Sequence, residues 1–331
     1  MAAEHFLVTG GTGCIGAWVT RQLLAEGSAV TLFSADETRD RLALVVPADD
    51  LARLDAVVGD INDLESVEDV ARQRGVTRII HLAALQFPFC AADPIRGARV
   101  NVQGTLTMFE LARRLDIGRL VYASSAAVYG PKAHYAAEVL PADAELYPTS
   151  HYGVFKVANE QGARVWWDAH GLASIGLRPH SVYGAGRDQG VTSKPTLAMI
   201  AAAAGRRFHV DFAGAYQFQF AADVAAWFVA AARSDMSGAN AFSLPGPTIA
   251  VADMIGAIEA FAPASRGGIT MGERLLPFPQ AFDGRPIEAA LGPVQTAALA
   301  EGVADTITRY RDAIAAGRVS DAFLDRVLAV A

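Results

Sequence analysis

At 331 residues, 52% of them hydrophobic and 19% charged, the chain is long enough to bury a large core in one domain or in two closely packed ones. Its net charge of −7 and scattered arginines argue against nucleic acid as a partner, because a nucleic-acid-binding protein carries a basic patch. The sequence shows no secretory leader, no apolar run long enough to span a bilayer and no metal-ligand spacing, which predicts a cytoplasmic protein without membrane or metal partners.

Short strand-like runs alternate with amphipathic helical stretches through the first half of the chain. In chain order, the pattern predicts strands at 5–10, 29–34, 55–60, 78–84, 119–125 and 174–179, and helices at 15–27, 66–75, 97–115 and 152–171. Strands that alternate with helices of this length form βαβ units, whose right-handed crossovers build a doubly wound parallel sheet. The predicted fold class is therefore α/β, with a Rossmann-type doubly wound parallel sheet.

This alternation stops after about residue 180. The sequence then predicts a loop over 183–195, a strand pair running into a helix over 207–224, a strand at 241–246 that could rejoin the main sheet, a helix at 251–261 and a final helix around 305–317. We expect a first domain over 1–180, to which 215–246 returns. A smaller C-terminal substrate-binding lobe would then comprise 181–214 and 247–331.

Three glycines lie between the first predicted strand and the first predicted helix, in the sequence "VTGGTGCIGAW". Gly10 permits a tight turn, Gly13 lets a pyrophosphate approach the backbone, and Gly16 allows close packing of helix on strand. The free N–H groups and the dipole at the start of that helix, where Cys14 and Ile15 lie, favour phosphate. The loop therefore predicts a dinucleotide cofactor, with the spacing GxxGxxG rather than GxGxxG.

The end of the second predicted strand bears on the choice between NAD and NADP. An acidic residue there hydrogen-bonds the ribose 2′-hydroxyl of NAD, whereas the 2′-phosphate of NADP needs a basic neighbour. The expected acidic position is Ser34, which Asp36 and Arg39 follow in "LFSADETR". Ser34 with Arg39 favours NADP and an inward-turned Asp36 favours NAD, so the sequence leaves both cofactors open.

Tyr152 and Lys156 share one face of the helix predicted at 152–171. A phenol titrates near ~10 in water, and we expect the ammonium of Lys156 and a positive nicotinamide ring to lower the pKa of Tyr152. Tyr152 can then exchange a proton with a substrate oxygen while the nicotinamide exchanges hydride. Lys156 can also reach the ribose hydroxyls of the cofactor, a task for which the planar fork of arginine is unsuited.

Two serines, Ser124 and Ser125, end the strand before this helix, at the edge where open α/β sheets bind their ligands. A serine hydroxyl at this edge can hydrogen-bond the reacting oxygen of a substrate. Together with the glycine loop and the pair Tyr152 and Lys156, such a serine indicates an oxidoreductase site.

These motifs resemble the extended short-chain dehydrogenase/reductase family, which contains nucleotide-sugar epimerases and dehydratases, and within it the UDP-galactose 4-epimerase-like proteins. The matching segments run through nearly the whole chain: "TGGTGCIG", "GDI" (59–61), "HLAA" (81–84), "NVQGT" (101–105), "YASSAAVYG", "HYGVFK" and "LRPHSVYGAG" (177–186). The terminal "EGVADTITRYR" is similar to the last helix of the family.

The resemblance implies a role for each matched position. Ser125, rather than Ser124, matches the catalytic serine, and Tyr152 and Lys156 complete the triad. Asp60 and Ile61 should flank the adenine, and Asn101 should support the active site. The implied cofactor site comprises Gly10, Gly13, Cys14, Ile15, Gly16, Ser34, Asp60, Ile61, Leu82, Ala83, Ala84, Asn101, Tyr152, Lys156 and Pro179.

Departures from the family pattern narrow the expected activity. Dehydratases carry an Asp-Glu pair where this chain has Ala126 and Ala127, which argues against sugar dehydration. UDP-galactose 4-epimerase-like enzymes have an asparagine at the position of Ser181 and a diphosphate-binding arginine at that of Tyr216. Arg285 matches a second phosphate-binding arginine, so the loss of phosphate contacts is partial. We therefore expect a hydroxylated substrate smaller than a nucleotide sugar.

The segments that should line the substrate pocket contain Gln86, Phe87, Phe89, Cys90, Ser125, His180, Ser181, Arg187 and Thr192. We predict an NAD(P)-dependent oxidoreductase that acts on a secondary alcohol or carbonyl of a sugar-like small molecule. The alternatives are a sugar or nucleotide-sugar epimerase with the same Ser, Tyr and Lys, and a nucleotide-sensing regulator without turnover. The resemblance also implies a homodimer, formed through the helices predicted at 97–115 and 152–171.

Overall fold

The structure is a computed structural model that describes residues 4–329. Its strands are β1 (His5–Thr9), β2 (Ala29–Ser34), β3 (Asp55–Val58), β4 (Arg78–His81), β5 (Arg119–Ala123), β6 (Val139–Leu140), β7 (Ala173–Arg178), β8 (Ser181–Tyr183), β9 (Phe208–Val210), β10 (Ala215–Phe220), β11 (Ala239–Ser243), β12 (Thr248–Ala250), β13 (Ile269–Met271) and β14 (Ala281–Phe282). Its helices are α1 (Cys14–Ala25), α2 (Asp40–Val45), α3 (Ala48–Arg53), α4 (Leu64–Arg74), α5 (Phe87–Ala92), α6 (Pro94–Ala98), α7 (Gly104–Arg114), α8 (His151–His170), α9 (Lys194–Ala203), α10 (Ala221–Arg233), α11 (Val251–Phe261), α12 (Arg285–Leu291), α13 (Leu299–Ala315) and α14 (Asp321–Leu328).

Seven parallel strands form the central sheet, in the order β11-β7-β5-β4-β1-β2-β3. β1 lies inside the sheet, where Val8 pairs with Leu32 of β2 on one side and with Ile80 of β4 on the other. The strand order runs outward from β1 in both directions, which is the doubly wound arrangement. The predicted α/β fold with a doubly wound parallel sheet is confirmed.

Side chains of the sheet point alternately into two hydrophobic cores, one on each face. Phe6 and Val8 of β1 belong to the core that contains Trp18 of α1 and Phe228 of α10. Leu7, between them, belongs to the opposite core, built with α4 and α7. Because both faces are covered, the strands are near-continuous apolar runs.

Several predicted elements of the second half need correction. β11 joins the main sheet beside β7, as predicted for 241–246. The strand pair predicted over 207–224 is wrong, because β9 pairs with β13 whereas β10 pairs with β8 and β12. The helix predicted around 305–317 begins earlier, at Leu299, and is not the last. α14 follows it, with the hydroxyl of Ser320 accepting the N–H of Phe323 as its N-terminal cap.

The helix predicted at 97–115 forms as three successive segments. α6 and α7 are joined by a π-helical turn, Arg99–Gln103. Such a turn is often found where a side chain must be placed at a functional site.

Between residues 4 and 329, no helix has the length and apolar character of a bilayer-spanning segment.

The carboxyl ends of β1, β4, β5 and β7 meet at one edge of the central sheet. Gly10, Leu82, Ser124 and Pro179 directly follow these four strands. The N–H of Ala126 donates to the carbonyl of Pro179 at 3.0 Å, which joins the loops after β5 and β7. Open α/β sheets bind ligands at this edge, so the predicted site residues lie where a ligand is expected.

Candidate active site

The glycine loop lies close to the loop that follows β4. Gly10 has φ +67°, and a Cβ on it would lie 2.6 Å from the backbone nitrogen of Ala83. A Cβ on Gly16 would overlap the carbonyl oxygen of Gly10. A Cβ on Gly13, by contrast, would meet within 4 Å the carbonyl oxygen of Gly10 alone, at 3.2 Å. Gly10 and Gly16 are therefore required by packing, whereas Gly13 borders open space that a ligand can enter.

The start of α1 offers free backbone donors beside that space. α1 begins at Cys14 with Gly13 as its cap, no side chain accepts its first N–H groups, and its first turn has no acidic residue. Uncapped N–H groups and the helix dipole favour an anion. Burial raises the pKa of the Cys14 thiol to about 12, so the thiol stays protonated and neutral at physiological pH. The start of α1 therefore fits the pyrophosphate of a dinucleotide.

The end of β2 presents a hydroxyl rather than a carboxylate. Ser34 is buried, and its Oγ has no hydrogen-bond partner among the described residues. Asp36 is exposed, and its carboxylate accepts the N–H of Thr38 at 3.0 Å, a hydrogen bond within the loop that follows β2. Arg39 is exposed as well. A buried hydroxyl without a partner is costly unless a ligand completes it, which fits a ribose of the cofactor.

Asp60 and Ile61, predicted to flank the adenine, follow β3. The carboxylate of Asp60 accepts the N–H of Asn62 at 2.9 Å and pairs with Arg99 at 3.1 Å. The hydrogen bond from the Asn62 backbone is the main reason why the pKa of Asp60 is lowered. Ile61 is buried, and a Cβ on Gly104 would lie 2.8 Å from it. This loop is therefore fixed by its own contacts.

Asn101 lies within the π-helical turn and holds the loop after β4. Its Oδ1 accepts the N–H of Leu85 at 2.7 Å, and its Nδ2 donates to the Leu85 carbonyl at 2.9 Å. Asn159 of α8 donates to the Asn101 carbonyl at 2.9 Å. Because the amide of Asn101 is fully buried and used by Leu85, it positions the segment that carries Leu82, Ala83 and Ala84.

The two serines at the end of β5 have different partners. Ser124 is buried and donates to Oε1 of Glu160 at 2.5 Å. Ser125 accepts the N–H of Ala127 at 3.1 Å, and its hydroxyl lies close enough to Tyr152 to favour the phenolate. Gly153 permits this approach, since a Cβ there would lie 2.5 Å from the Ala127 carbonyl oxygen. Ser125 is thus the serine that faces the tyrosine.

Tyr152 is half-buried, and burial raises the pKa of its phenol. The neighbouring hydroxyl of Ser125 and the positive charge of Arg187 oppose that rise by favouring the phenolate. Arg187 therefore acts on the pKa of Tyr152 as a second cation, in addition to the Lys156 to which the sequence-based prediction gave this effect.

Lys156 is buried beside the tyrosine and bonded elsewhere. Its Nζ donates to the Ala123 carbonyl at 2.6 Å and lies 5.6 Å from the centre of the Tyr152 ring. Burial lowers the pKa of Lys156 to about 8, because the charged form is poorly solvated. The same environment holds His81 neutral, with a pKa lowered to about 3 by burial and then by the charge of Lys156.

On the substrate side, Gln86, Arg187 and Thr192 lie together. Nη1 of Arg187 is 3.4 Å from Oε1 of Gln86, and Nη2 is 3.5 Å from Oγ1 of Thr192. Phe87 is 44% exposed at the start of α5. The structure thus brings together three of the residues predicted to contact the substrate.

His180 and Ser181 lie after β7, under an aromatic cluster. Nδ1 of His180 is 3.0 Å from the Gln217 carbonyl, and its ring centre lies 4.9 Å from that of Phe282. Burial lowers the pKa of His180 to about 4, so the ring is neutral. Ser181 is buried, and its Oγ has no partner among the described residues.

Tyr216 and Arg285 stand at the two positions that match phosphate-binding arginines of the family, and both side chains make contacts within the protein. The hydroxyl of Tyr216 accepts the N–H of Leu276 at 2.7 Å and donates to the Ala213 carbonyl at 3.1 Å. Arg285 is exposed and pairs with Asp283 at 2.7 Å. Neither position provides a free buried cation for a diphosphate.

A buried charged network behind the serines was missed by the sequence patterns. Glu160 of α8 pairs with Arg178 of β7 at 2.6 Å, and Nη1 of Arg178 donates to the hydroxyl of Tyr129 at 2.7 Å. Ser124 joins the network through Glu160. A signal exists in the sequence, since an arginine ends the otherwise uncharged strand at "SIGLRP". Within residues 4–329, no group of three or more His, Cys, Asp or Glu side chains is arranged to hold a metal ion.

Comparisons with known proteins agree with this geometry. The model of the NAD dependent epimerase/dehydratase family matches residues 6–244. A UDP-glucose 4-epimerase of Azospirillum brasilense is 35% identical over 190 residues, which are 56% of this chain and 51% of that protein. An L-arabinose 1-dehydrogenase (NAD(P)(+)) of Haloferax volcanii is 33% identical over 181 residues, 52% of this chain and 64% of that protein. The chain thus spans about half the length of the curated relatives that it matches.

Among solved structures, a UDP-glucose 4-epimerase with UDP-glucose from Thermotoga maritima superposes with a TM-score of 0.81 at 21% identity. The superposition covers 94% of this chain and 100% of the other. At this level of identity the likeness shows the fold.

Proposed function

Since the chain belongs to the NAD dependent epimerase/dehydratase family, we propose that it is an enzyme that transfers hydride between NAD or NADP and a secondary alcohol or carbonyl of a sugar-like small molecule. The observation that carries the proposal is the placement of Tyr152 next to Ser125, with the buried Nζ of Lys156 5.6 Å from the centre of the Tyr152 ring. The three side chains lie at the ligand-binding edge of the sheet, next to the glycine loop.

The side chains divide the proton chemistry between them. The nicotinamide, when bound, supplies the site that gives or takes the hydride. Tyr152 exchanges the proton with the reacting oxygen, and Ser125 hydrogen-bonds that oxygen and keeps the phenol in position. The raised pKa of Tyr152 keeps the phenol protonated at neutral pH, which suits donation to a carbonyl. For the reverse transfer, the positive charge of Arg187 helps Tyr152 to lose its proton.

Three parts of the site fit a dinucleotide. The N–H groups at Cys14 and Ile15 would hold the pyrophosphate, and the hydroxyl of Ser34 would hold the adenine ribose. Lys156 would reach the nicotinamide ribose from beneath Tyr152. In this assignment the region 1–180 with 215–246 binds the cofactor, and 181–214 with 247–331 forms the substrate-binding lobe.

A homodimer and a cytoplasmic location complete the proposal. Apolar side chains on α7 and α8 are exposed, with Leu106 at 44%, Val154 at 47% and Val165 at 65%. Two such helices from each of two copies would form a four-helix bundle that covers these side chains.

A sugar or nucleotide-sugar epimerase with the same Ser125, Tyr152 and Lys156 is the second candidate. It is favoured by the 35% identity to the UDP-glucose 4-epimerase of Azospirillum brasilense. The internal contacts of Tyr216 and Arg285 argue against a nucleotide diphosphate as the ligand. A nucleotide-sensing regulator without turnover is disfavoured, since the full set of Ser, Tyr and Lys is present.

The experiment that tests the proposal identifies the nucleotide in the purified protein. The protein is denatured, and the released nucleotide is separated and quantified. Empty protein that reduces NAD or NADP with at least one sugar of a panel of neutral and acidic sugars, namely arabinose, galactose, glucose, galacturonate and galactose 6-phosphate, is the expected result. Stoichiometric retained NAD, with interconversion of UDP-glucose and UDP-galactose, would instead establish the epimerase. Absence of turnover with every sugar, despite nucleotide binding, would favour the regulator.

A further inference from the structure

Arg187 is a cation inside the candidate site without a counter-charge. Among residues 4–329, no carboxylate lies within ion-pair distance of its guanidinium. The neighbouring carboxylate, Asp188, is used by Arg41, whose Nη2 lies 2.8 Å from it. Arg187 is half-buried, and its Nε is fully buried. A charge that is partly removed from water is costly unless it is paired, so the guanidinium favours a partner from outside the protein.

The hydrogen-bonding groups of Arg187 are largely unused. Its Nε is buried and has no partner among the described residues. The contacts of Nη1 with Gln86 at 3.4 Å and of Nη2 with Thr192 at 3.5 Å are at the limit of a hydrogen bond. Gly190 lies against the group, since a Cβ there would be 2.9 Å from Nη2 and from Oε1 of Gln86. The guanidinium is therefore held in place without being satisfied.

The loop that carries Arg187 lies against the glycine loop, since a Cβ on Gly186 would lie 3.6 Å from the Cα of Cys14. The positive charge of Arg187 also opposes the burial that raises the pKa values of Tyr152 and Cys14. A substrate that presents its oxygen to Tyr152 would therefore have its neighbouring substituents near the guanidinium. Arg285 is a poorer candidate for binding an anionic group, because its side chain is exposed and already paired with Asp283.

We propose that Arg187, assisted by Gln86 and Thr192, binds an anionic group of the substrate, a carboxylate or a phosphate carried a few bonds from the reacting carbon. The planar fork of arginine matches the two oxygens of such a group and can bind both at once. The inference rests on the proposed function for its substrate, and it narrows the class to acidic or phosphorylated sugars and related hydroxy acids.

A second source of the same chemistry is the pyrophosphate of the cofactor. Arg187 lies near Cys14, where the pyrophosphate would bind, so the experiment must separate the two sources. Binding of NADH reports on the pyrophosphate, and discrimination between acidic and neutral sugars in the presence of NADH reports on the substrate.

The test measures equilibrium binding to the protein saturated with NADH, with galactose, galacturonate and galactose 6-phosphate as probes. All measurements are made in a Tyr152→Phe background, so that they do not depend on turnover or on the proposed reaction. We compare Arg187, Arg187→Gln and Arg187→Lys, with Arg266→Gln at an exposed turn as the matched control. The thermal unfolding of each variant is recorded to verify that it is folded.

With Arg187 present, at least one of the two anionic sugars should bind roughly 10- to 100-fold more tightly than galactose. Arg187→Gln should remove this preference and leave the affinity for galactose and NADH unchanged, and Arg187→Lys should retain part of it. The anionic sugar with the larger preference identifies the group as carboxylate or phosphate.

Two outcomes would overturn the proposal. If Arg187→Gln weakens NADH binding but leaves the relative affinity for the sugars unchanged, the partner of Arg187 is the cofactor. If the folded protein binds galactose as tightly as both anionic sugars, the guanidinium has no anion-binding role. Either result can be obtained whether or not the chain proves to catalyse hydride transfer.

Discussion

Lys156 shows how burial changes a single residue of the site. Its ammonium is buried and bonded to the Ala123 carbonyl, and its pKa falls to about 8 from an ordinary 10.5. Sequence spacing predicted that Lys156 shares a helix face with Tyr152 but could not show this bond, because the partner is a backbone carbonyl of β5. Sequence spacing also could not show that the charge of Arg187 acts on the pKa of Tyr152, because Arg187 lies in a loop 35 residues away along the chain.

The lowered pKa of Lys156 predicts a pH dependence of stability. Between pH of about 8 and 10.5 the unfolded chain holds a proton on this lysine that the folded chain has released, so the free energy of unfolding rises with pH in that window. The rise should be on the order of 3 kcal/mol and should be missing in Lys156→Met. Denaturant unfolding at a series of pH values measures it. Lys132→Met serves as the control, and an equal pH dependence in Lys156→Met and the unmodified protein would contradict the assignment.

Ser34 is predicted to control the choice of cofactor. A carboxylate introduced by Ser34→Asp would accept the ribose 2′-hydroxyl of NAD and repel the 2′-phosphate of NADP. The ratio of the dissociation constant for NADP to that for NAD should rise roughly tenfold or more, as measured by direct binding. Asp36→Asn is the control, because Asp36 is exposed and bonded to Thr38. An unchanged ratio in Ser34→Asp would mean that the adenine ribose does not lie at the end of β2.

At the scale of elements, local patterns predict some parts of the fold well and others not at all. β1, α1 and β2 are found at their predicted places, because strand alternation and the glycine loop are local signals. α9 follows the segment predicted as a loop, and it is apolar and buried on nearly all sides, so its sequence has no polar face to indicate a helix. The partners of β9 and β10 lie far along the chain and are chosen by tertiary packing.

The ion pair between Glu160 and Arg178 joins α8 to β7, and Glu160 also accepts the hydroxyl of Ser124 at the end of β5. Glu160→Gln should leave Arg178 buried without a counter-charge and lower the free energy of unfolding by roughly 3 kcal/mol. Denaturant unfolding measures the loss. Asp321→Asn, in an exposed pair with Arg206, should cost less than about 1 kcal/mol and is the control. Equal and small losses for both variants would show that the buried pair is not needed to join α8 to β7.

At the scale of the whole molecule, the exposed apolar face of α7 and α8 bears on assembly. The resemblance to the family implied a dimer through these helices, and the exposed Val165 and Leu106 support it. Several large apolar side chains exposed on two neighbouring helices are commonly covered by a second copy.

Val165→Asp should therefore convert a dimer to a monomer, since it would bury two carboxylates in the predicted bundle. Sedimentation velocity or light scattering gives the mass of each form. Leu275→Asp, an equally exposed apolar position outside α7 and α8, should leave the mass unchanged. A monomeric unmodified protein, or a dimer that survives Val165→Asp, would place the interface elsewhere or exclude it.

The most direct measurement is the turnover of Tyr152→Phe with the best sugar substrate of the unmodified protein, alongside its affinity for NAD or NADP. Removal of one hydroxyl removes the proton donor and acceptor but leaves the ring in place. The account predicts that turnover falls roughly 10²- to 10⁴-fold while cofactor affinity changes little. Turnover that persists within a few-fold of the unmodified protein would contradict the assignment of Tyr152 as the group that exchanges the substrate proton.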